Sequence, residues 1–151
     1  MRAITPFLWF NDNLEEAVDY YTGLFPDTKV RGVRRGPDGK LVTAEFELAG
    51  QRFMGLNGGP QFRFTEAVSF FVECEDQDEV DRYWGLLTAD GGEEGPCGWL
   101  KDKFGLSWQI VPVRLMELMA TGTPEQVERV TAAMMTMGKL DVAAFEAAAR
   151  G

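Results

Sequence analysis

An internal repeat constrains the fold of this chain more than any other feature of its sequence. Residues 18–24 (VDYYTGL) match residues 80–86 (VDRYWGL) at five of seven positions, at an offset of 62 residues. Residues 50–56 (GQRFMGL) share their pattern of glycine, aromatic and apolar positions with residues 105–111 (GLSWQIV), at an offset of 55. Chance readily produces one such match, but two matches in the same order indicate a duplicated module.

Each half of the chain has the same predicted order of elements. Alternating apolar residues indicate strands, and apolar residues at helical spacing indicate one long helix in each half. The first half has predicted strands at 4–10, 28–34, 40–48 and 51–57 and a helix at 14–25. The second half follows this order with one predicted strand fewer, at 67–73, 94–100 and 106–113 around a helix. The sequence therefore predicts an α+β fold of two tandem βαβββ modules.

Polar residues mark the predicted helix starts. Asn13 with Glu16, and Asp76 with Glu79, have the spacing of a capping box. In the C-terminal part, residues 114–120 are predicted to be helical, Thr123-Pro124-Glu125-Gln126 predicts the start of another helix, and Asp141 predicts a third. Apolar residues line one face of the second of these helices, namely Val127, Val130, Met134 and Met137. That face packs either on the core of its own chain or at a subunit interface.

Composition limits the possible functions. With 151 residues, 45% of them hydrophobic, the chain is expected to form one domain, with module one at about 3–60, module two at about 64–113 and a helical tail at 114–151. A net charge of −9 opposes binding to nucleic acid or to an anionic membrane. The chain contains no histidine, which excludes Ser-His-Asp and Cys-His catalysis.

The cysteines and the N-terminal residues predict a cytoplasmic location. Two cysteines, Cys74 and Cys97, are too few for the disulfide framework of a small secreted domain, so we expect free thiols. Residues 1–10 lack the pattern of a signal peptide, and no apolar run is long enough to span a membrane.

Several longer strings add a family resemblance. They are residues 4–10 (ITPFLWF), 53–60 (FMGLNGGP), 62–67 (FRFTEA), 97–105 (CGWLKDKFG), 107–112 (SWQIVP) and 137–141 (MGKLD). They resemble the PhnB-like family, often labelled 3-demethylubiquinone-9 3-methyltransferase, of the vicinal oxygen chelate superfamily (glyoxalase I and bleomycin-resistance proteins). The resemblance implies paired half-barrels and a homodimer. Methyl transfer is not expected, because the sequence lacks the glycine-rich strand-to-helix turn of an S-adenosylmethionine site.

Metal-using members of this superfamily take one ligand, typically His or Glu, from the first and the last strand of each module. Carried over through the repeat, those positions hold Phe7 (or its neighbour Pro6), Met54, Ser69 and Gln109. A phenyl ring, a thioether, a hydroxyl and an uncharged amide do not make a site for a hard divalent cation. We therefore expect neither a metal ion nor another cofactor.

Alternation along the same strands predicts an apolar pocket, because residues two apart share one face of a strand. The predicted lining consists of Phe7, Trp9, Met54, Leu56, Ser69, Phe71, Gln109 and Val111. The hydroxyl and the amide would orient a ligand in otherwise apolar surroundings. The alternative is that these side chains fill a collapsed core.

The loop at 97–103 contains the catalytic candidates. Lys101 or Asp102 would transfer protons, and Cys97 would act as a thiolate. Alternatively, the loop is a turn with solvated charges and a packed tryptophan.

Two functions follow from these candidates. The first is metal-free binding of a small aromatic or cationic molecule, with the acidic surface attracting a cation. The second is a metal-independent enzyme of the isomerase, lyase or transferase type that uses Lys101, Asp102, Cys97 or Gln109. A third possibility is a scaffold with a vestigial pocket.

Overall fold

The computed structural model describes residues 1–151 and contains eight strands and five helices. The strands are β1 (Phe7–Phe10), β2 (Lys29–Arg35), β3 (Leu41–Leu48), β4 (Gln51–Asn57), β5 (Ser69–Cys74), β6 (Glu93–Glu94), β7 (Trp99–Lys101) and β8 (Ser107–Pro112). The helices are α1 (Leu14–Leu24), α2 (Gln77–Thr88), α3 (Val113–Thr121), α4 (Pro124–Met134) and α5 (Val142–Arg150). No helix has the length and hydropathy needed to cross a lipid bilayer.

The two sheets have the same topology, as a duplicated module requires. The first has the strand order β1-β4-β3-β2 and the second the order β5-β8-β7-β6. In each sheet the first strand pairs in parallel with the last, with Phe7 opposite Met54 and Phe71 opposite Gln109. The remaining pairs are antiparallel. The predicted α+β class, with two tandem βαβββ modules and a C-terminal helical extension, is confirmed.

The chain divides after Phe64 into two compact units. The first unit buries one face of its sheet, including Leu8, Phe10, Phe46 and Phe53, together with the apolar side of α1. The second unit buries Leu100, Trp108 and Ile110 together with the apolar side of α2. Helices α3, α4 and α5 belong to this second unit.

The tail packs on its own chain. One buried cluster contains Val111 from β8 and Leu115, Val130, Leu140, Phe145 and Ala149 from the tail. Met134 and Met137 pack against this cluster. The apolar face of α4 therefore packs on the core of its own chain, which is the first of the two alternatives. Met135, which follows α4, remains 66% exposed.

Three of the four predicted helix starts are confirmed. The side chains of Asp76 and Asp141 accept hydrogen bonds from the backbone N–H three residues on, at 3.0 Å. Thr123 and Gln126 form a complete capping box, with proline at the first helical position. The capping box at Asp76 is incomplete, because the Glu79 carboxylate accepts from the N–H of Glu75 and not from the N–H of Asp76.

The predicted cap at Asn13 is wrong. Asn13 has φ −114° and ψ 26° instead of the extended conformation typical of an N-cap, and its side chain makes no capping bond. Asn57, at the end of β4, replaces it. The Asn57 Oδ1 accepts from the N–H of Leu14 at 2.9 Å, and its Nδ2 donates to the carbonyl of Leu41 at 2.9 Å.

The predicted strand at 94–100 is also wrong as a single element. A turn through Pro96, Cys97 and Gly98 divides it into β6 and β7, and both Cys97 (φ 56°) and Gly98 (φ 82°) are left-handed. A Cβ at Gly98 would lie 2.9 Å from Leu140 Cδ1 and 3.1 Å from the carbonyl of Ile110, so the position requires glycine.

The segment after α4 holds this turn in place. The N–H of Cys97 donates to the carbonyl of Met137, and the N–H of Gly98 donates to the carbonyl of Gly138, both at 2.8 Å. The helix whose predicted apolar face extends to Met137 ends instead at Met134, so Met137 and Gly138 lie in the segment that follows it.

Candidate ligand-binding site

The first sheet presents half of the predicted lining as a face of its own. Phe7 and Trp9 alternate with the buried Leu8 and Phe10, and Phe7 is 50% exposed. Met54 and Leu56 on β4 are half-buried and lie opposite Phe7 and Trp9 in the parallel register. The alternation predicted along these strands is therefore present.

Trp9 is held by the segment that follows β4. Its Nε1 donates to the carbonyl of Gly59 at 2.9 Å, and its ring meets Phe62 edge-on at 4.9 Å between centroids. A Cβ at Gly58 would come within 2.3 Å of the indole, so glycine is required for this close approach. Trp9 is thus packed within its own module.

The second sheet brings the two predicted polar groups together. Phe71 lies opposite Gln109, and Ser69 lies opposite Ser107. The Gln109 amide Nε2 donates to the Ser69 hydroxyl at 2.9 Å. The two groups predicted to orient a ligand therefore form one hydrogen-bonded pair on the face that also carries Val111.

A pocket of about 510 Å³ lies on this face of the second sheet. The strands contribute Phe71, Gln109 and Val111, and the tail helices contribute Met116, Met119 and Met134. Its remaining lining residues are Cys97, Trp99, Leu115, Ala120 and Leu140. We call it the methionine pocket. Its size is within the range of about 300 to 1,000 Å³ typical of small-molecule sites.

A second pocket of about 500 Å³ adjoins the first through Cys97 and Trp99, which line both. Its other lining residues are Glu66, Glu93, Glu94, Gly95, Pro96, Leu100, Lys101 and Ser107. We call it the acidic pocket, because three carboxylates and one ammonium group line it.

The structure separates the three catalytic candidates. Lys101 and Cys97 line the acidic pocket, whereas Asp102 lines neither pocket. Lys101 forms an ion pair with Glu66, and this hydrogen bond raises the pKa of Lys101 and lowers the pKa of Glu66. Cys97 is partly exposed, with its Sγ 3.9 Å from the Met135 Sδ.

Asp102 lies in the turn between β7 and β8 and is only 2% exposed. Its Oδ1 accepts from the N–H groups of Phe104 (2.8 Å) and Leu106 (3.1 Å), and its Oδ2 accepts from the Trp108 Nε1 at 2.9 Å. A carboxylate bound in this way supports the turn, so the solvated charge of the alternative interpretation is wrong for Asp102.

A divalent metal ion does not fit the four strand positions at which the family resemblance implies metal ligands. Phe7, Met54, Ser69 and Gln109 include no carboxylate or imidazole, and the Ser69 and Gln109 side chains are bonded to each other. No group of three or more Cys, Asp or Glu side chains is placed to hold a metal ion. These donors lack the charge and the number of oxygen ligands that such ions require.

Sequence reasoning missed the wall formed by the tail. A signal was available, since Met116, Met119 and Ala120 have i, i+3 and i+4 spacing and so share one face of α3. The sequence does not indicate which part of the molecule that face meets.

Known proteins resemble this chain in both sequence and fold. Residues 2–111 match the family described as 3-demethylubiquinone-9 3-methyltransferase. The PhnB protein of Bacillus cereus is 32% identical, with 74% of this chain and 99% of that chain covered and a TM-score of 0.67. The match to the family ends before the tail, so Met116, Met119, Met134 and the string at 137–141 lie beyond it.

More distant structures share the fold alone. A protein of Pseudomonas aeruginosa is 18% identical over 74% of this chain and 98% of its own, with a TM-score of 0.60. The fosfomycin resistance protein of Listeria monocytogenes, whose structure holds Mn(II) and sulfate, is 18% identical over 72% of this chain and 89% of its own, with a TM-score of 0.51. No curated protein matches the sequence.

Proposed function

Since this chain belongs to the 3-demethylubiquinone-9 3-methyltransferase family, the PhnB-like family, we propose that it binds a small aromatic molecule on its second sheet, without a metal ion. The observation that carries this proposal is the methionine pocket. Three methionines of the tail helices and the apolar side chains of Phe71 and Val111 line one space of about 510 Å³. Methionine is flexible and polarisable, and its sulfur makes favourable contacts with aromatic rings.

Metal-free binding is supported by the chemistry of the donors. The strand positions that hold metal ligands elsewhere in the superfamily carry Phe7, Met54, Ser69 and Gln109 here. A ligand in the methionine pocket would therefore be held by apolar burial, with the Ser69–Gln109 pair as the polar group within reach.

The alternative is a metal-independent enzyme, which is supported by Cys97 and Lys101 lining one pocket. Two observations oppose it. The hydrogen bond with Glu66 raises the pKa of Lys101, which keeps the amine protonated and unsuited to act as a base. The Asp102 carboxylate already accepts from three donors, two in its own turn and one on β8. We therefore favour a binding protein.

A fluorescent apolar probe tests this function. N-phenylnaphthylamine is uncharged and brightens in apolar surroundings, so we expect saturable enhancement with protein dialysed against a chelator. Met119→Glu places a charge in the pocket wall and should weaken binding by about tenfold or more, since a carboxylate is costly to bury. Leu86→Glu is the matched control, because Leu86 lies on α2 outside both pockets and is 39% exposed, against 38% for Met119.

The proposal is wrong if the probe shows no saturable enhancement with the folded wild-type protein. It is also wrong if Leu86→Glu weakens binding as much as Met119→Glu while both variants keep the wild-type circular dichroism spectrum. The homodimer and the cytoplasmic location stay predictions, to be measured by light scattering and by cell fractionation.

A further inference from the structure

The acidic pocket contains a buried polar group that the protein itself does not use. Ser107, on β8, is 1% exposed, and its Oγ has no hydrogen-bond partner. It lies opposite Ser69 on one neighbouring strand and opposite Lys101 on the other, and it lines the acidic pocket. Buried hydroxyls are normally bonded, so a free one at a pocket wall indicates a group that a ligand completes.

The charge of the acidic pocket selects the ligand. Glu66 and Lys101 neutralise each other in an ion pair, and the remaining carboxylates are Glu93 and Glu94. One oxygen of Glu94 accepts from the Trp84 Nε1 at 2.8 Å, and Glu93 lies at the exposed end of β6. Glu93 lies opposite Lys101 in the antiparallel register and also interacts with its charge. With three carboxylates and one ammonium group, the lining has a net charge of −2. A cation that donates hydrogen bonds suits both the carboxylates and the hydroxyl of Ser107.

The two pockets are neighbours, because Cys97 and Trp99 line both of them. We infer that the ligand is a protonated primary or secondary amine attached to an aromatic body, with the ring in the methionine pocket and the ammonium group in the acidic pocket. Trp99 lines both pockets, and an aromatic side chain at this place is of the kind that attracts cations. This inference rests on the proposed function, to which it adds the chemical class of the ligand.

A matched pair of probes tests the inference. Naphthylmethylammonium and naphthylmethanol share one ring system and differ in charge, and isothermal titration calorimetry measures both at one salt concentration. We expect the ammonium to bind at least tenfold more tightly than the alcohol. Glu93→Gln and Ser107→Ala should each weaken binding of the ammonium by three- to tenfold and leave binding of the alcohol unchanged.

Glu128→Gln is the control for charge. Glu128 is an exposed residue of α4 outside both pockets, and its change alters the net charge as Glu93→Gln does. If it weakens ammonium binding equally, the preference comes from the general field of the acidic protein and the inference is wrong. The inference is also wrong if the alcohol binds as tightly as the ammonium, and that result would leave the proposed function standing. Failure of both probes and of N-phenylnaphthylamine would contradict the proposed function itself.

Ser107→Ala separates a ligand-binding hydroxyl from a structural one. Because the Ser107 Oγ bonds to nothing in the protein, its removal should leave the urea midpoint unchanged or raise it while ammonium binding weakens. A lowered midpoint with unchanged ammonium affinity would overturn the role assigned to Ser107.

Discussion

The carboxylate of Asp102 accepts three hydrogen bonds, from its own turn and from the strand that follows it. Two come from backbone N–H groups, of Phe104 and Leu106, and one comes from the indole of Trp108. A buried carboxylate that satisfies three donors stabilises the turn chiefly because its loss leaves those donors unpaired. Asp102 therefore contributes to the stability of the fold, although it is adjacent in sequence to Lys101, which lines the acidic pocket.

Asp102→Ala should lower the unfolding free energy by about 2 to 4 kcal/mol, since it leaves three donors without an acceptor. The matched control is Asp38→Ala in an exposed turn, where one carboxylate oxygen accepts only from the N–H of Lys40 at 3.1 Å. That change should cost less than about 1 kcal/mol. Urea unfolding measures both variants. A stable Asp102→Ala protein that no longer binds the probe would instead place Asp102 in the binding site.

The two thiols have opposite environments. Cys74 is fully buried, and desolvation together with the charges of Glu79 and Asp76 raises the pKa of Cys74 to about 12. Cys97 is partly exposed beside both pockets. Iodoacetamide at about pH 8 should therefore add one group to the native protein, at Cys97, since only about one Cys74 in ten thousand would be ionised.

Mass spectrometry of the alkylated protein checks this prediction. Cys97→Ser should abolish the native adduct, and a second adduct at Cys74 should form only in denaturant. Rapid double alkylation of the folded protein would contradict the burial of Cys74.

The raised pKa of the Cys74 thiol also determines how the free energy of unfolding changes with pH. The contribution of the Cys74 thiol is complete below the usual thiol value of about 9 and declines as the pH rises towards 12.

At the scale of the elements, one side chain joins the end of a strand to the start of a helix. Asn57 on β4 caps α1 through the N–H of Leu14 and bonds the carbonyl of Leu41 on β3. Three elements of the first module thus meet at one amide.

Asn57→Ala should lower the unfolding free energy by about 1 to 2 kcal/mol, because it removes a helix cap and a second, partly buried hydrogen bond. Asn13→Ala, at the residue where the sequence predicts the cap, should cost less than about 0.5 kcal/mol, since the Asn13 side chain makes no capping bond. Thermal and urea unfolding of both variants decide between the two residues. Equal losses would mean that Asn13 contributes to the start of the helix after all.

The caps show which elements can be predicted from sequence. Asp76, Thr123 and Asp141 bond three residues ahead, so their spacing is visible in the chain. The partner of Asn57 is 43 residues away, and only the pairing of β1 with β4 brings the two together. Local spacing therefore identifies helix starts, whereas a cap that depends on strand register does not appear in any local pattern.

At the scale of the whole molecule, the same distinction applies to the candidate site. Alternation along a strand predicts that Phe71, Gln109 and Val111 share one face, and the methionine pocket uses all three. The opposite wall could not be predicted, because the position of Met116, Met119 and Met134 depends on how three helices pack after the last strand. Amphipathic spacing shows that a helix has an apolar face, without indicating what that face covers.

The two bonds from Met137 and Gly138 to the turn at Cys97 and Gly98 have a kinetic consequence. The amide protons of Cys97 and Gly98 are held by the tail and not by a sheet partner, so their exchange with solvent deuterium proceeds whenever that segment lifts away. Their protection factors can be no larger than the free energy of this local opening allows. The exchange rates of the Cys97 and Gly98 amides therefore report how often the tail segment detaches from the turn. A molecule bound between the second sheet and the tail should slow this exchange.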